Sequence, residues 1–327
     1  METTPIHQVP ENTMPTPTLT RTACWIGAAL LMVIPLNWLA STLVAKGISL
    51  VAPQLVSQGG VLYQAVSYTL ISPLSILPGF FIVAKADYHT FKQLLPFAKC
   101  NFSEGVGGVL LSFWAILLGN GLSGGMELLF PTASENLTVL MGASAQTPAQ
   151  LVAELVYVAL VPALVEEIAF RGIVLGMLRK HADGLAVILS ALLFGLFHGN
   201  VIQLPFATCF GLAAGYITLR TGSLIPAILL HFINNASSSL FAYFSPQISR
   251  VLGDYGVLGL YGGWLVLGGF GLLILALRAR STGQIYHLVG GALPVKQTLV
   301  SLLKAVPLVI AVAINVASAI ILMFPVM

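Results

Sequence analysis

Charge is what this sequence has least of. Only 8% of its 327 residues are Asp, Glu, Lys or Arg, against about a quarter in a soluble domain, so a water-facing globular surface is excluded. The 14 basic and 11 acidic residues leave a net charge of +3. They are too sparse and scattered to form a nucleic-acid surface, and nucleic acid is excluded as a partner. Cysteine is also scarce: Cys24, Cys100 and Cys209 lie far apart with no CxxC, which argues against a disulfide framework and a thiolate zinc site. No basic stretch precedes the first apolar run, and that run is long enough to span a bilayer, so a cleaved signal peptide is not expected. No internal repeat is visible.

What the sequence has is apolar length. Hydrophobic residues make up 57% of it, and its mean hydropathy is +0.94. Segments able to span fall at roughly 23–45, 61–84, 106–122, 150–178, 184–200, 202–219, 223–245, 253–277 and 298–324, the pair at 184–219 being close to the lower length limit. The expected fold is therefore an all-α, polytopic integral membrane helix bundle of eight or nine transmembrane helices, with the lipid bilayer as its principal partner. Residues 1–20, with Pro5, Pro10, Pro15 and Pro17 among polar residues, read as a disordered tail. Helices within 21–149 and 246–327 then flank a central unit at 150–245.

Basic residues orient the bundle, because cytoplasmic loops are enriched in Lys and Arg. With the amino terminus inside and nine spans, only Lys46 and Arg250 of the 14 basic residues lie outside. The stretch 123–149, which has Glu127 and Glu135 but no Lys or Arg, then faces outward. Gly195/Gly199 and Gly211/Gly215 have the spacing of close helix contacts in lipid. A multi-pass protein of a bacterial plasma membrane, amino terminus cytoplasmic, is the expected setting.

Ionisable groups inside a membrane are costly, which makes them candidates for function. His7, His89, His181 and His287 fall in the tail or in predicted loops and read as solvated, whereas His198 and His231 lie in apolar segments. Among the acids, Glu166 and Glu167 lie within an apolar stretch, and Glu154 reads as interfacial. Three patterns result: VEEIAFRG at 165–172, FGLFHGN at 194–200 and HFINN at 231–235. On a helix, Glu167 and Arg171 have the spacing of an ion pair, which lowers the cost of burying both. Glu166, on the face of Phe170, needs a partner from another helix or a raised pKa. Pro162, four residues earlier, should kink the helix beside it.

Depth sharpens the argument. With a turn near 180–184, Glu166 and His198 each stand 14 positions from it, about 21 Å along their helices. They are at one height in a helical hairpin, able to share a water or a metal. His231 and Asn235 are one turn apart on one face of the next long helix but one. Interhelical hydrogen bonds of about 1 kcal/mol each would explain any one of these residues alone. Their gathering at one depth favours a functional site.

Here the three patterns resemble the CPBP family of intramembrane proteases, which includes the type II CAAX prenyl endopeptidases and bacterial immunity or bacteriocin-processing (Abi-like) homologues. Its Glu-Glu-xxx-Arg motif stands as Glu166, Glu167 and Arg171, its Phe-xxx-His as Phe194 and His198, its His-xxx-Asn as His231 and Asn235. The stretch RTGSLIPAILLHFINN at 220–235 also looks like the family pattern. The resemblance covers about 150–245, which makes that unit the catalytic core. It implies peptide-bond hydrolysis within the membrane, with Glu166 as general base, His198 holding the water, and His231 and Asn235 stabilising the oxyanion. Glu167 and Arg171 would position Glu166, with Phe170 and Phe194 beside the site. The implied substrate is a membrane-associated or prenylated peptide or protein. Zn2+ bound by Glu166, His198 and His231 is one reading. Metal-free catalysis is preferred, because a neutral Asn suits an oxyanion donor better than a zinc ligand.

Other chemistries fit less well. GLSGG at 121–125 offers Ser123 as a nucleophile, but the strand-to-helix elbow is absent and a Gly-rich turn explains it. No HExxH occurs. Asp87, Asp183 and Asp254 fall in predicted loops, which leaves no membrane-embedded aspartate pair. A proton-coupled transporter using Glu166 and the histidines would be favoured by inverted repeats, which are absent. A catalytically idle membrane scaffold or immunity protein would not need complete motifs.

Overall fold

A computed structural model of the chain describes residues 18–58, 60–87, 94–141, 144–253, 255–283, 288 and 294–325. Helices account for its regular structure: α1 Leu19–Val51, α2 Gly60–Ala86, α3 Phe102–Leu129, α4 Pro131–Met141, α5 148–179, α6 Asp183–Phe197, α7 Gln203–Thr221, α8 Ile225–Leu252, α9 Tyr255–Thr282, α10 Val295–Leu303 and α11 Val306–Ile321. Among the described residues no strand forms beyond one isolated bridge, Phe97 to Ser223. Thr18 caps α1, its Oγ1 accepting the Arg21 N–H at 3.3 Å. Leu19 and Thr20, expected in a disordered tail, are therefore helical, and residues 1–17 lie outside those described.

Among the described residues five helices, α1, α2, α3, α8 and α9, are long and apolar enough to cross a membrane, and α10 with α11, bent by 83°, would make a sixth. This is fewer than the eight or nine expected, and the shortfall falls on the central unit. α5 is interrupted by two π-helical turns, Leu155–Leu160 and Ile168–Val174. α6 has 15 residues, about 22 Å of helix, well short of a hydrocarbon core about 30 Å thick.

Small residues set the packing. α1 lies along α2 and α11, α3 along α9 and α7, and α6 along α7. A Cβ at Gly27 would run into the Leu308 backbone and one at Gly271 into the Leu111 backbone, while Trp114 lies on Gly268 and donates Nε1–H to the Leu265 carbonyl at 2.9 Å. Between α6 and α7, Gly211 abuts Ala191 and Gly195 abuts Thr208. Gly199, expected at a helix contact, instead takes φ +62° and ends α6 as a left-handed cap.

The stretch expected as an outward loop is largely helical. Ser123 lies inside α3, not in a turn, and its hydroxyl donates to the Ile202 carbonyl at 2.6 Å. Asn136 of α4 donates to the Leu322 and Phe324 carbonyls at 2.9 and 2.8 Å. Glu154 is buried and accepts the Ala145 N–H at 2.8 Å, so the expected interfacial position is corrected.

The tip of the α5–α6 hairpin is likewise less exposed than its sequence suggests. Asp87 and Asp183 are both buried, with Arg21 3.7 Å from Asp87 and Arg179 2.9 Å from Asp183. His181 is half-buried and its Nε2 lies 3.2 Å from the Thr22 hydroxyl. His7, His89, His287 and Asp254 lie outside the described residues. Burial first, and the neighbouring Lys180 charge second, hold the His181 imidazole below its ordinary value, with Asp87 acting the other way. The unfolded chain therefore binds this proton more readily, so the stabilisation is intact above about pH 6.5 and declines as pH falls below it. A melting series in detergent from pH 7 to 5 should fall for the wild type and flatten for His181→Gln; parallel curves would refute the assignment.

Candidate functional site

α5 is irregular where its polar residues sit. Pro162 has no N–H, and its ring crowds the carbonyl four residues back. The π turns flank the short α-helical stretch Val161–Glu167, so Glu166 and Glu167 close that stretch and Phe170 and Arg171 lie in the second π turn. Such turns recur at functional sites.

Glu167 and Arg171 form the expected ion pair, Oε1 to Nη1 at 3.0 Å, with no exposed side-chain surface on either residue. Arg171 Nε and Nη2 have no hydrogen-bond partner among the described residues. Instead the guanidinium lies over the Phe194 ring, 4.2 Å from its centroid, and 5.4 Å from that of Phe210. Two ring faces supply cation–π attraction in place of hydrogen-bond acceptors.

His231 comes from α8, shortly after Pro226 starts the helix. Its Nδ1 is 2.8 Å from Glu167 Oε1, the same oxygen that accepts from Arg171. Its Nε2 is 3.9 Å from Glu166 Oε2. A single imidazole thus stands between two sequence-adjacent carboxylates. Glu167, paired with Arg171, accepts the Nδ1–H, which orients the ring and turns Nε2 toward Glu166. Among the described residues, the His231 contact is the only polar one Glu166 makes, and its side chain is 17% exposed.

His198 is held by the same logic. It caps the end of α6, and its Nδ1 lies 2.8 Å from the Phe194 carbonyl. A carbonyl can only accept, so Nδ1 carries the proton and Nε2 is left available. Phe194 is the common platform: His198 meets it edge-on at 4.9 Å, His231 at 6.1 Å and Phe170 at 5.1 Å. Asn235, one turn beyond His231, donates Nδ2–H to the Val158 carbonyl at 2.9 Å and so ties α8 to the first π turn.

The structure adds contacts that the sequence reading did not contain. The side chain from another helix that approaches Glu166 directly is His231. Glu167 does more than position Glu166, because it also holds the His231 ring. Among the described residues no three His, Cys, Asp or Glu side chains gather as a metal-binding set, so Glu166, His198 and His231 do not fit a zinc site as they stand. Phe210 was missed: buried, it packs edge-on against His231 at 4.9 Å. The available signal was its place beside Gly211, in the small-residue ridge that draws α7 onto α6. Asn234 was also missed; its Nδ2 donates to Asn235 Oδ1 at 3.0 Å.

Residues 148–237 match the family described as Type II CAAX prenyl endopeptidase Rce1-like. The matched stretch begins at the start of α5, ends within α8 and contains every residue quoted above for the three motifs. No curated protein and no solved structure matches the chain. At the level of the family, the match supports the resemblance to CPBP intramembrane proteases and with it a CAAX-protease-like endopeptidase in a multi-pass membrane protein.

Proposed function

We propose that this protein is an intramembrane endopeptidase in which Glu166 activates water. The observation that carries the proposal is the single imidazole between two carboxylates. Glu167 Oε1 is occupied by Arg171 and His231, whereas Glu166 is partly exposed and stands 3.9 Å from His231 Nε2, which leaves it to take the water.

In this reading Glu166 removes a proton as the water oxygen attacks the scissile carbonyl carbon, and His198 Nε2 helps hold that water. The carbonyl oxygen becomes an oxyanion, stabilised by Asn235 through Nδ2–H and by His231 in its doubly protonated form, with Nδ1–H on Glu167 and Nε2–H on the oxyanion. The C–N bond breaks as Glu166 returns its proton to the departing amine. Arg171 holds Glu167 in place as the acceptor for His231. Metal-free water activation is part of the proposal, because no three-ligand set is assembled among the described residues. The substrate class is a membrane-associated or prenylated peptide, in a bacterial plasma membrane with the amino terminus cytoplasmic.

The test is cleavage of a pooled library of prenylated and unmodified peptides by the purified protein in detergent, with and without a zinc chelator. Cleavage that survives the chelator is expected. Loss of cleavage on chelation would replace metal-free activation with zinc. A folded wild type that cleaves no peptide would overturn the endopeptidase reading.

A further inference from the structure

Asn235 is held at both ends of its carboxamide. Val158 O can only accept, so the atom 2.9 Å from it is Nδ2. That places Oδ1 where Asn234 Nδ2 donates to it, at 3.0 Å. One end is fixed by the neighbouring residue in α8, the other by a carbonyl 77 residues earlier in α5.

Val158 O is open to this visitor for a local reason. Val158 lies where the π register of Leu155–Leu160 gives way to the α register of Val161–Glu167; in the α register its donor would be the N–H of residue 162, which is proline, with no N–H and a ring that pushes that carbonyl aside. The break in α5 therefore supplies the acceptor that Asn235 needs. A carboxamide nitrogen carries two hydrogens; with one given to Val158, the other is the donor left for a reacting group.

We propose that Pro162 and Asn234 are positioning residues, which together fix the Asn235 carboxamide with one Nδ2 hydrogen on Val158 and the other presented to the oxyanion. This rests on the endopeptidase reading for its catalytic half and on geometry alone for the tie. Preorganised donors of this kind are effective because they need no rearrangement as charge develops.

The test has two readouts. In a thermal-stability cycle, Asn235→Ala should lower the melting temperature clearly in the wild-type background and far less with Pro162→Ala, because that substitution restores a backbone N–H for the Val158 carbonyl. In peptide cleavage, Pro162→Ala and Asn234→Val should each lower kcat about tenfold with KM within about twofold, short of the roughly hundredfold or greater loss for removing an oxyanion donor, as in Asn235→Ala. Asn234→Ser, which keeps a donor, should recover part of the loss. Equal costs of Asn235→Ala in both backgrounds would overturn the tie. A coupled cycle with wild-type kcat in Pro162→Ala and Asn234→Val would overturn the positioning role. If the wild type cleaves nothing, the catalytic reading and the positioning role fall together, and the stability cycle still decides the tie.

Discussion

Glu166→Gln should lower kcat for peptide cleavage by roughly 10²–10⁴-fold, the range for losing a general base, while leaving the melting temperature close to that of the wild type. The two halves of this result have separate causes. The amide cannot take a proton from water at neutral pH, so the chemical step loses its base. The fold loses little, because Glu166 makes no polar contact among the described residues other than the 3.9 Å approach of His231 and is partly exposed, and Gln has nearly the same volume. Glu167 cannot substitute as base, since its side chain is fully buried away from water and its Oε1 already accepts from Arg171 and from His231. Undiminished cleavage by the Gln variant would remove Glu166 from the mechanism.

Glu167→Ala should do the opposite damage first. Removing one member of a buried ion pair costs about 3–5 kcal/mol, because it strands the other charge. Arg171 is fully buried and Glu167 is its ion-pair partner, so only two aromatic faces and the more distant Glu166 carboxylate would remain to offset its desolvation. Yield and thermal stability in detergent should both fall sharply. The double variant Glu167→Leu/Arg171→Met should recover most of the stability, since replacing a buried pair by apolar residues of similar volume is often neutral or better. It should not recover cleavage, because His231 Nδ1 would still lack its acceptor. A single variant as stable as the wild type, or a double variant no more stable than the single, would show that the pair does not act in this way.

These outcomes bear on how far the sequence could be read. The Glu167–Arg171 pair was visible because helical spacing is local, and it forms even though the backbone has slipped into a π turn at Arg171. The nine apolar segments coincide with helical elements, yet length and composition support only five or six as spans, because periodicity does not register where a helix breaks. The approach of His231 to Glu166 was not foreseen for a related reason: depth along a hairpin fixes height, but not which side chain turns toward a carboxylate. Phe210 and Asn234 carry no local signature, and their contacts exist only once α7 and α8 have packed. Asp87 looked solvated because Arg21 is 66 positions away in sequence and the two meet only when α1 and α2 pack.

The placement of these charges also has a consequence for biosynthesis. A carboxylate or guanidinium at the centre of a membrane helix costs about 2.5–3.5 kcal/mol at insertion. Glu167 and Arg171 lie on one helix and can neutralise each other as that helix leaves the ribosome. Glu166 cannot, because His231, the group that approaches it, arrives 65 residues later on α8. The nascent chain must therefore carry one uncompensated carboxyl group through the insertion of α5, α6 and α7, and the site becomes electrically complete only when α8 docks.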